Sequence, residues 1–383
     1  MTAPFDLIVY GATGFTGQLI CRYLQQHYHG QVRWAIAGRN ADKLAQLHQQ
    51  LQLGDEVSCI SASADSPEQL QQLVAQTKAV IAVAGPYQRY GEPLLAACAH
   101  SGTHYLDLCG EPAWMRQMID KYHAVAADSG AVIVHSCGFD SIPSDLGVYQ
   151  LQQLALSRFG QTLPQVKGRV EAMQGGPSGG TVASFMVSQQ AAQADAQIGQ
   201  WMLDPFALTP GFHGSQQPDG SQPKYDDDLG RWASPFVMAL INCKNVHRTN
   251  WLLGHPYGEQ FQYDEMISTG AGEQGQQVAQ ALAKGDGLVG QGKPPKPGEG
   301  PTPEEQENGF FTLAFYGQHQ GETLRVAVSG DKDPGYGCTS MMISEAALCL
   351  LQQQVAGGFW TPASAMAEPL IARLAEKQVL RFQ

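Results

Sequence analysis

Hydrophobic positions follow two rhythms along this chain, and the change between them divides it. Through residues 1–150, short apolar runs alternate with stretches of helical spacing. Leu7-Ile8-Val9 leads into Leu19, Ile20, Tyr23 and Leu24, and Val32–Ala37 leads into a helix over Ala41–Leu51 that Asn40 can cap. A third strand reads Glu56–Ser61. Ser66-Pro67-Glu68-Gln69 is a capping box with proline at the first helical position. Ala79–Ala84 is apolar throughout, as a strand in the middle of a parallel sheet must be. A helix over Gly91–His100, a strand at His104–Leu108, a helix over Pro112–Ser129 and a strand at Ala131–His135 complete the alternation. The pattern predicts an α/β, Rossmann-type doubly wound parallel sheet of about six strands.

Past Pro143 the rhythm changes. A helix around Asp145–Leu156 leads to longer amphipathic strands at Gln165–Met173, Phe261–Ser268, Phe310–Gln318 and Thr323–Ser329. The last two are spaced like a hairpin, which predicts a mostly antiparallel sheet. Helical patterns at Gly180–Gln200 and Gln274–Lys284 interrupt it, so this half reads as an α+β unit. Asp204–Pro235 and Lys284–Pro303 are rich in glycine and proline and read as long loops, which serve as lids or stay disordered. A functional role is expected of the first, which carries Phe206, Phe212 and Trp232 beside Trp201. Helical spacing returns over Thr339–Gln354 and Ala367–Lys377.

Composition narrows the class. With 383 residues, 43% of them hydrophobic and only 15% charged, the chain is globular and long enough for more than one core. A net charge of −12 argues against nucleic acid as a partner, and no basic cluster is present to hold a membrane surface. The longest apolar runs fall far short of the ~20 residues that cross a bilayer. Met1–Asp6 lacks the basic start and apolar run of a signal peptide. No integral membrane segment and a cytoplasmic location are therefore expected. The eight cysteines are scattered and form no C-x-x-C, which reads as reduced thiols rather than a disulfide frame or a zinc site. No His/Asp/Glu cluster has metal-ligand spacing, so no metal is expected.

One stretch organises the rest. Tyr10-Gly11-Ala12-Thr13-Gly14-Phe15-Thr16-Gly17 lies between the first strand and the first helix, the context that a dinucleotide-binding turn requires. Gly11 suits a sharp turn, Gly14 a close approach to a pyrophosphate, and Gly17 tight packing of helix on strand. The spacing is G-x-x-G-x-x-G, one residue longer in its first step than the commonest form. The second strand ends in Gly38-Arg39-Asn40. An NAD-type site places an acid about twenty residues past the turn to bind ribose hydroxyls. Arg39 stands here instead, and a guanidinium grips a 2′-phosphate that a carboxylate would repel. The cofactor expected is NADP(H), with Arg39 as main determinant and Lys43 assisting.

With these residues in hand, the chain resembles the saccharopine dehydrogenase-like oxidoreductases. The turn and Ala37-Gly38-Arg39 look like that group's NADP-binding domain. Further segments resemble its trans-acting enoyl reductase branch: Gly85-Pro86-Tyr87 with Gly91, Tyr105-Leu106-Asp107 with Gly110-Glu111, Cys137 to Asp145, Ser178 to Thr181, Asp204 to Leu208, and Gly330 with Asp333 to Gly337. The resemblance covers nearly the whole length. It implies that the second unit is inserted and that the C-terminal helices return to the first. Residues 1–150 with 337–383 would then form the NADP-binding domain, and residues 151–336 a substrate and dimerisation domain. It also implies NADPH-dependent reduction, in one branch of an enoyl chain carried by another synthase.

In an open parallel sheet the ligand lies outside the carboxyl ends of the strands. The cofactor contacts expected are Gly11, Thr13, Gly14, Phe15, Thr16 and Gly17 in the turn, Arg39, Asn40 and Lys43 after the second strand, Ala84, Gly85 and Pro86 after the fourth, and Gly138 after the sixth. Reducing an enoyl thioester also needs donors for the enolate oxygen and an acid for the α-carbon. The catalytic candidates are Tyr87 as that acid or hydrogen-bond donor, Asp140 and Ser141 as holders of the nicotinamide amide or the substrate, and Tyr336 as a group reaching the site on a mobile turn. Each has a plainer reading: Tyr87 as an aromatic lid, Asp140-Ser141 as a helix cap, Tyr336 as packing. The amides of Ser178–Thr181 are placed to receive a thioester oxygen or simply to form a capped turn. Asp107 and Glu111 offer paired carboxylates, and His135 reads as a core histidine.

No Tyr-x-x-x-Lys pair lies next to a serine, which disfavours a short-chain dehydrogenase mechanism. The leading expectation is reduction of an activated double bond, with a long apolar pocket lined by Phe236–Ile241 and the aromatics of the Trp201–Phe212 region. The substrate would be a small molecule, its acyl chain carried on coenzyme A or a carrier protein. Saccharopine-type imine reduction is the alternative and would call on Arg169, Arg231, Arg248 and Arg325. A non-catalytic NADPH sensor is the third. A homodimer through the second sheet is expected from the class.

Overall fold

The computed structural model describes residues 3–285, 295–296 and 298–383. Strands β1 (Phe5–Tyr10), β2 (Trp34–Gly38), β3 (Ser58–Ser61), β4 (Thr77–Ala82), β5 (His104–Asp107) and β6 (Val132–Val134) belong to one sheet. The second sheet takes β7 (Gln165–Gln174), β8 (Lys224–Asp226), β9 (Arg231–Pro235), β10 (Gln262–Gly270), β11 (Phe310–His319) and β12 (Glu322–Gly330). The chain ends with β13 (Gly358–Trp360) and β14 (Arg381–Phe382).

The first sheet runs β13-β6-β5-β4-β1-β2-β3 and is parallel throughout. Its central strands are buried on both faces. Leu7 and Val9 of β1 point into one core with Ala79 and Ile81 of β4, and Ile8 and Tyr10 into the other with Val80 and Ala82. This is why those strands read as unbroken apolar runs. The order reverses between β1 and β4, where the connections leave in opposite directions. A crevice opens there at the carboxyl ends of the strands, and both glycine-bearing turns border it.

The second sheet runs β14-β12-β11-β7-β10-β9-β8, antiparallel except for the β10/β7 pair. One core cluster is continuous from the first sheet to the inner face of the second, through Leu146, Leu151, Phe311, Leu313 and Phe315. The Ile142–Phe159 helix lies between them. Gly147 lets it approach, because a Cβ there would lie 2.1 Å from the Phe315 ring.

Several expectations are corrected. The first sheet has seven strands, since β13 returns to pair with β6. The C-terminal segment therefore supplies a strand as well as helices, and its last residues join the second sheet as β14. The Thr339–Leu350 helix packs on the Phe15–Tyr28 helix, with Tyr23, Tyr28 and Arg373 all bonded to the buried carboxylate of Glu345. Asp204–Pro235 is not all loop, for it holds β8 and β9. Phe236–Ile241 runs into a helix, Ala239–Leu252, that the hydrophobic pattern did not predict. Half of the Lys284–Pro303 segment, residues 286–294 and 297, lies outside the described residues. The expected boundary at residue 150 falls inside the Ile142–Phe159 helix.

Candidate functional site

The turn after β1 is shaped by its glycines. Gly11 has φ +87, and a Cβ on it would lie 3.0 Å from the Val83 and Ala84 backbone. The turns after β1 and β4 thus meet at the crevice. A Cβ on Gly17 would lie 2.4 Å from the Gly11 carbonyl, so the helix start presses on the turn. Gly14 differs: a Cβ there would meet only the Gly11 carbonyl oxygen, at 3.2 Å. Its surroundings are open on the side where a phosphate would lie. The first amides of the Phe15–Tyr28 helix have no intrahelical acceptor and face that space with the positive end of the helix dipole. Thr13 and Thr16 are partly exposed beside them.

Arg39 is exposed at the end of β2, and Asn40 caps the next helix by accepting from the Lys43 amide at 2.9 Å. Neither Arg39 nor Lys43 makes a side-chain hydrogen bond or ion pair among the described residues. An open glycine cradle with unpaired cations at the rim fits a dinucleotide carrying a 2′-phosphate.

Across the crevice, the carboxylate of Glu111 accepts from the amides of Tyr87 and Gln88, both at 2.9 Å, and from the Ser184 hydroxyl. Burial pushes its pKa up against these donors. Glu111 therefore fixes the Gly85-Pro86-Tyr87 turn. The Tyr87 hydroxyl donates to the Ala82 carbonyl at 3.0 Å and accepts from the Leu108 amide at 3.1 Å. It joins the ends of β4 and β5, and burial raises its pKa well above the usual value.

Asp107 accepts from the amides of Cys109 and Ser136 and lies 2.7 Å from His135 Nδ1. These partners are all buried, so Asp107 and His135 brace the loops after β5 and β6 rather than facing the crevice. The paired-carboxylate reading of Asp107 and Glu111 finds no common target: each is committed to backbone amides.

Asp140 stands apart. It follows β6, is partly exposed, and its carboxylate lies over Gly110, where a Cβ would come within 2.7 Å of Oδ2. Burial of the carboxyl, opposed by its own backbone amide and reinforced by the charge of Asp107, pushes its pKa up to about 7. Among the described residues no side chain pairs with it. Ser141 beside it is fully buried, and its hydroxyl accepts from Asn245 Nδ2 at 2.8 Å. Gly138, two residues before Asp140, is enclosed between Leu108 and Thr339.

Tyr336 closes the other side. Asp333 caps its turn by accepting from the Tyr336 and Gly337 amides at 3.0 and 2.6 Å. The Tyr336 ring sits edge-on to Phe15, with centroids 5.1 Å apart. Its hydroxyl accepts from the Ser178 amide and lies 2.7 Å from Thr181 Oγ1. The Ser178–Thr181 amides are thereby largely occupied: Gly179 donates to the Glu299 carbonyl at 3.0 Å and Thr181 to its own Ser178 cap. They are the start of the Gly179–Ala194 helix, which lies across the crevice and also bonds Gln88 through Ser188.

Sequence reasoning missed Asn245 and Thr339, the residues that touch the Asp140 segment from outside. Asn245 had one available signal. Asn242 to Asn250 is a polar run with Lys244, His247 and Arg248, unusual in a chain with 15% charged residues. Phe236, Phe206 and Ile241, expected to line an apolar pocket, are buried in packing. Leu203 and Leu240 are exposed. Among the described residues no group of three or more His, Cys, Asp or Glu side chains is placed to hold a metal, and no helix is long and apolar enough to cross a membrane.

Comparison with known proteins agrees with this geometry. Residues 7–134 match the saccharopine dehydrogenase NADP binding domain. A trans-acting enoyl reductase of Mycobacterium tuberculosis is 35% identical over 403 residues, covering 97% of this chain and 95% of its own length. A second M. tuberculosis protein, provisionally named for the same activity, is 36% identical over 400 residues with the same coverage. In fold, the chain is similar to apo saccharopine dehydrogenase (L-Glu forming) of Saccharomyces cerevisiae, with a TM-score of 0.55 at 11% identity over 99% of each chain.

Proposed function

The chain belongs to the saccharopine dehydrogenase-like NADP-dependent oxidoreductases, in the trans-acting enoyl reductase branch, and from that premise we propose that it reduces the C=C bond of a 2-enoyl thioester. The observation that carries this choice of substrate is the state of the arginines. An imine built from an amino acid carries several carboxylates and needs free guanidinium groups. Arg169 is buried against Asp226 and Asp264, and Arg248 is buried on the Leu208 and Phe359 carbonyls. Arg231 and Arg325 both pair with Glu171. Each arginine in which the imine reading was invested is therefore committed elsewhere.

The residues divide the work. The first-turn amides after Gly14 receive the pyrophosphate, and Arg39 with Lys43 holds the 2′-phosphate. When bound, NADPH supplies the hydride that the β-carbon takes up. Asp140 in its acid form gives the proton that the α-carbon takes up, which completes the reduction of one double bond. Its elevated pKa keeps that proton available near neutral pH. Tyr87 and Glu111 shape the turn after β4, since their polar atoms are committed to backbone. In the same proposal, residues 1–150 with 337–383 serve the cofactor, apart from β14 in the second sheet and with the Ile142–Phe159 helix crossing the boundary, and 151–336 serve the substrate and a homodimer contact. Cysteines that are free among the described residues suit a cytoplasmic setting.

The test is NADPH oxidation with 2-enoyl coenzyme A thioesters, set against an amino acid mixed with an aldehyde. Turnover of the thioester alone is expected, with kcat/KM falling about tenfold per pH unit above the Asp140 pKa as the acid form is lost. Turnover of the imine mixture alone would overturn the proposal. NADPH binding with turnover of neither would favour a sensor.

A further inference from the structure

The segment that carries Asp140 is held from both sides by residues to which no role has been assigned. Upstream, the Phe139 amide donates to Thr339 Oγ1 at 2.9 Å, and that hydroxyl donates onward to the Pro334 carbonyl at 2.8 Å. Thr339 thus ties the segment to the turn bearing Tyr336, with both its donor and its acceptor function in use. Downstream, Ser141 Oγ accepts from Asn245 Nδ2 at 2.8 Å. Asn245 and Ser141 are both essentially fully buried, as is Thr339. The segment has no slack between these holds. A Cβ on Gly138 would lie 2.9 Å from Thr339 Cγ2 and 2.9 Å from Leu108 Cδ2.

Asn245 sits on a helix whose polar side chains reach both sheets, the first through Arg248 on the Phe359 carbonyl of β13. Asn242 Nδ2 donates to Glu265 of β10 at 2.8 Å, and Thr249 donates to Asp145 at 2.5 Å. Asp145 follows Ser141 by one helical turn. Burying polar groups is costly unless they are paired, so the pairs made by Asn242, Asn245 and Thr249 favour one register of the helix. That register sets where Asn245 meets Ser141.

We infer that Asn245 and Thr339 are positioning residues that hold the Asp140 carboxyl over Gly110 at the mouth of the crevice. The inference rests on the reading of Asp140 as the proton donor. The ionisable groups facing Asp140 are Asp107 at the end of β5, Cys109 in the loop after it, and Tyr336 in the turn across the crevice. Releasing either hold lets more water reach the carboxyl and relaxes its distance from Asp107.

The experiment needs no substrate. The protonated carboxyl band of Asp140 is titrated by infrared difference spectroscopy on the full chain and assigned by its loss in Asp140→Asn. In the wild type it is expected to titrate well above the ordinary carboxylate range. In Asn245→Ala and Thr339→Val the midpoint should fall by about one pH unit, as solvation returns. Thr339→Ser, which keeps the hydroxyl, should restore it, and NADPH affinity should stay within about twofold throughout, because the hydride cofactor is held by other residues. Ser141→Ala cuts the Asn245 bond with the loss of one oxygen, and serves if Asn245→Ala fails to fold. On thioester turnover, the releasing variants should lower kcat about 10- to 100-fold with KM little changed, the cost of a misplaced group. An unmoved midpoint in the Asn245 or Ser141 variant and in Thr339→Val would overturn the inference and leave Asp140 as donor. A wild-type midpoint in the ordinary range would overturn the donor reading and the positioning role with it.

Discussion

Two arginines, one in each sheet's territory, show how differently the two halves use the same chemistry. Arg39 stands exposed at the end of β2, and its guanidinium has no partner among the described residues. Arg169 on β7 is fully buried, with Nη2 2.7 Å from Asp226 and 3.2 Å from Asp264 and Nη1 donating to the Gly168 carbonyl. The first has unused hydrogen-bonding capacity beside an open glycine cradle. The second has a partner on each of its three nitrogens, and a network with Lys167 and Lys224 extends around it. The lesson is that residue type alone does not mark a binding group. A cation signals a ligand where the fold leaves it unanswered and signals architecture where the fold answers it.

That contrast can be broken most forcefully at Asp226. Asp226→Ala removes the main partner of a buried guanidinium, which should cost about 3–5 kcal/mol of stability in urea unfolding. NADPH affinity of the remaining folded protein should be unchanged. A loss below about 1 kcal/mol would mean that the network is solvated, like a surface pair.

Two glycines sharpen the comparison within the cofactor turn itself. Gly17→Ala drives a Cβ to 2.4 Å from the Gly11 carbonyl, so both stability and NADPH binding should fall, stability by about 1–3 kcal/mol. Gly14→Ala meets only one atom, at 3.2 Å, so the protein should fold normally and lose NADPH affinity alone. Equal melting temperatures for the two variants would contradict the packing assigned to Gly17. At the rim, Arg39→Ala should weaken NADPH about 10- to 100-fold, the worth of a charge-assisted hydrogen bond to phosphate, and leave NADH and stability nearly unchanged. Equal loss for both nucleotides would remove the 2′-phosphate from the account.

The same contrast explains what could be read from the sequence. The central parallel strands were legible because burial on both faces leaves only apolar residues, as in Leu7–Val9 and Ala79–Ala82. The turn was legible because glycine has few reasons to recur at that spacing between strand and helix. The Ala239–Leu252 helix was not legible. Most of its buried positions are polar, among them Asn242, Asn245, Arg248 and Thr249, with only Ile241 and Val246 as apolar ones, which leaves no apolar stripe. β13 was missed because three residues completing an existing edge need no periodicity of their own. Candidate site residues next to the strand ends were legible by position, while the groups that hold them, Asn245 and Thr339, come from distant segments that only folding brings near. Tyr87 shows the limit on the other side. Its place after β4 marks it for the site, but its hydroxyl bonds decide what it does there.

Tyr336 is the smallest and most discriminating case, because it lies between the two regimes. It borders the crevice like Arg39, yet its hydroxyl is answered like Arg169, by the Ser178 amide and Thr181 Oγ1. Tyr336→Phe keeps the ring against Phe15 and removes only that oxygen. The Ser178 amide then loses its acceptor, and the start of the Gly179–Ala194 helix loosens by about 1–2 kcal/mol. Hydrogen exchange at residues 178–181 should quicken accordingly, while global unfolding shifts little, since local opening is separable from the whole. NADPH should dissociate a few-fold faster because the helix crosses its crevice, and kcat on the thioester should change by less than about tenfold, well short of the 10²–10⁴ that a proton donor contributes. A fall of that larger size with exchange unaltered would transfer the donor role from Asp140 to Tyr336. The hydroxyl would then be a chemical group at the site despite being answered, and the rule drawn from the two arginines would fail where it matters most.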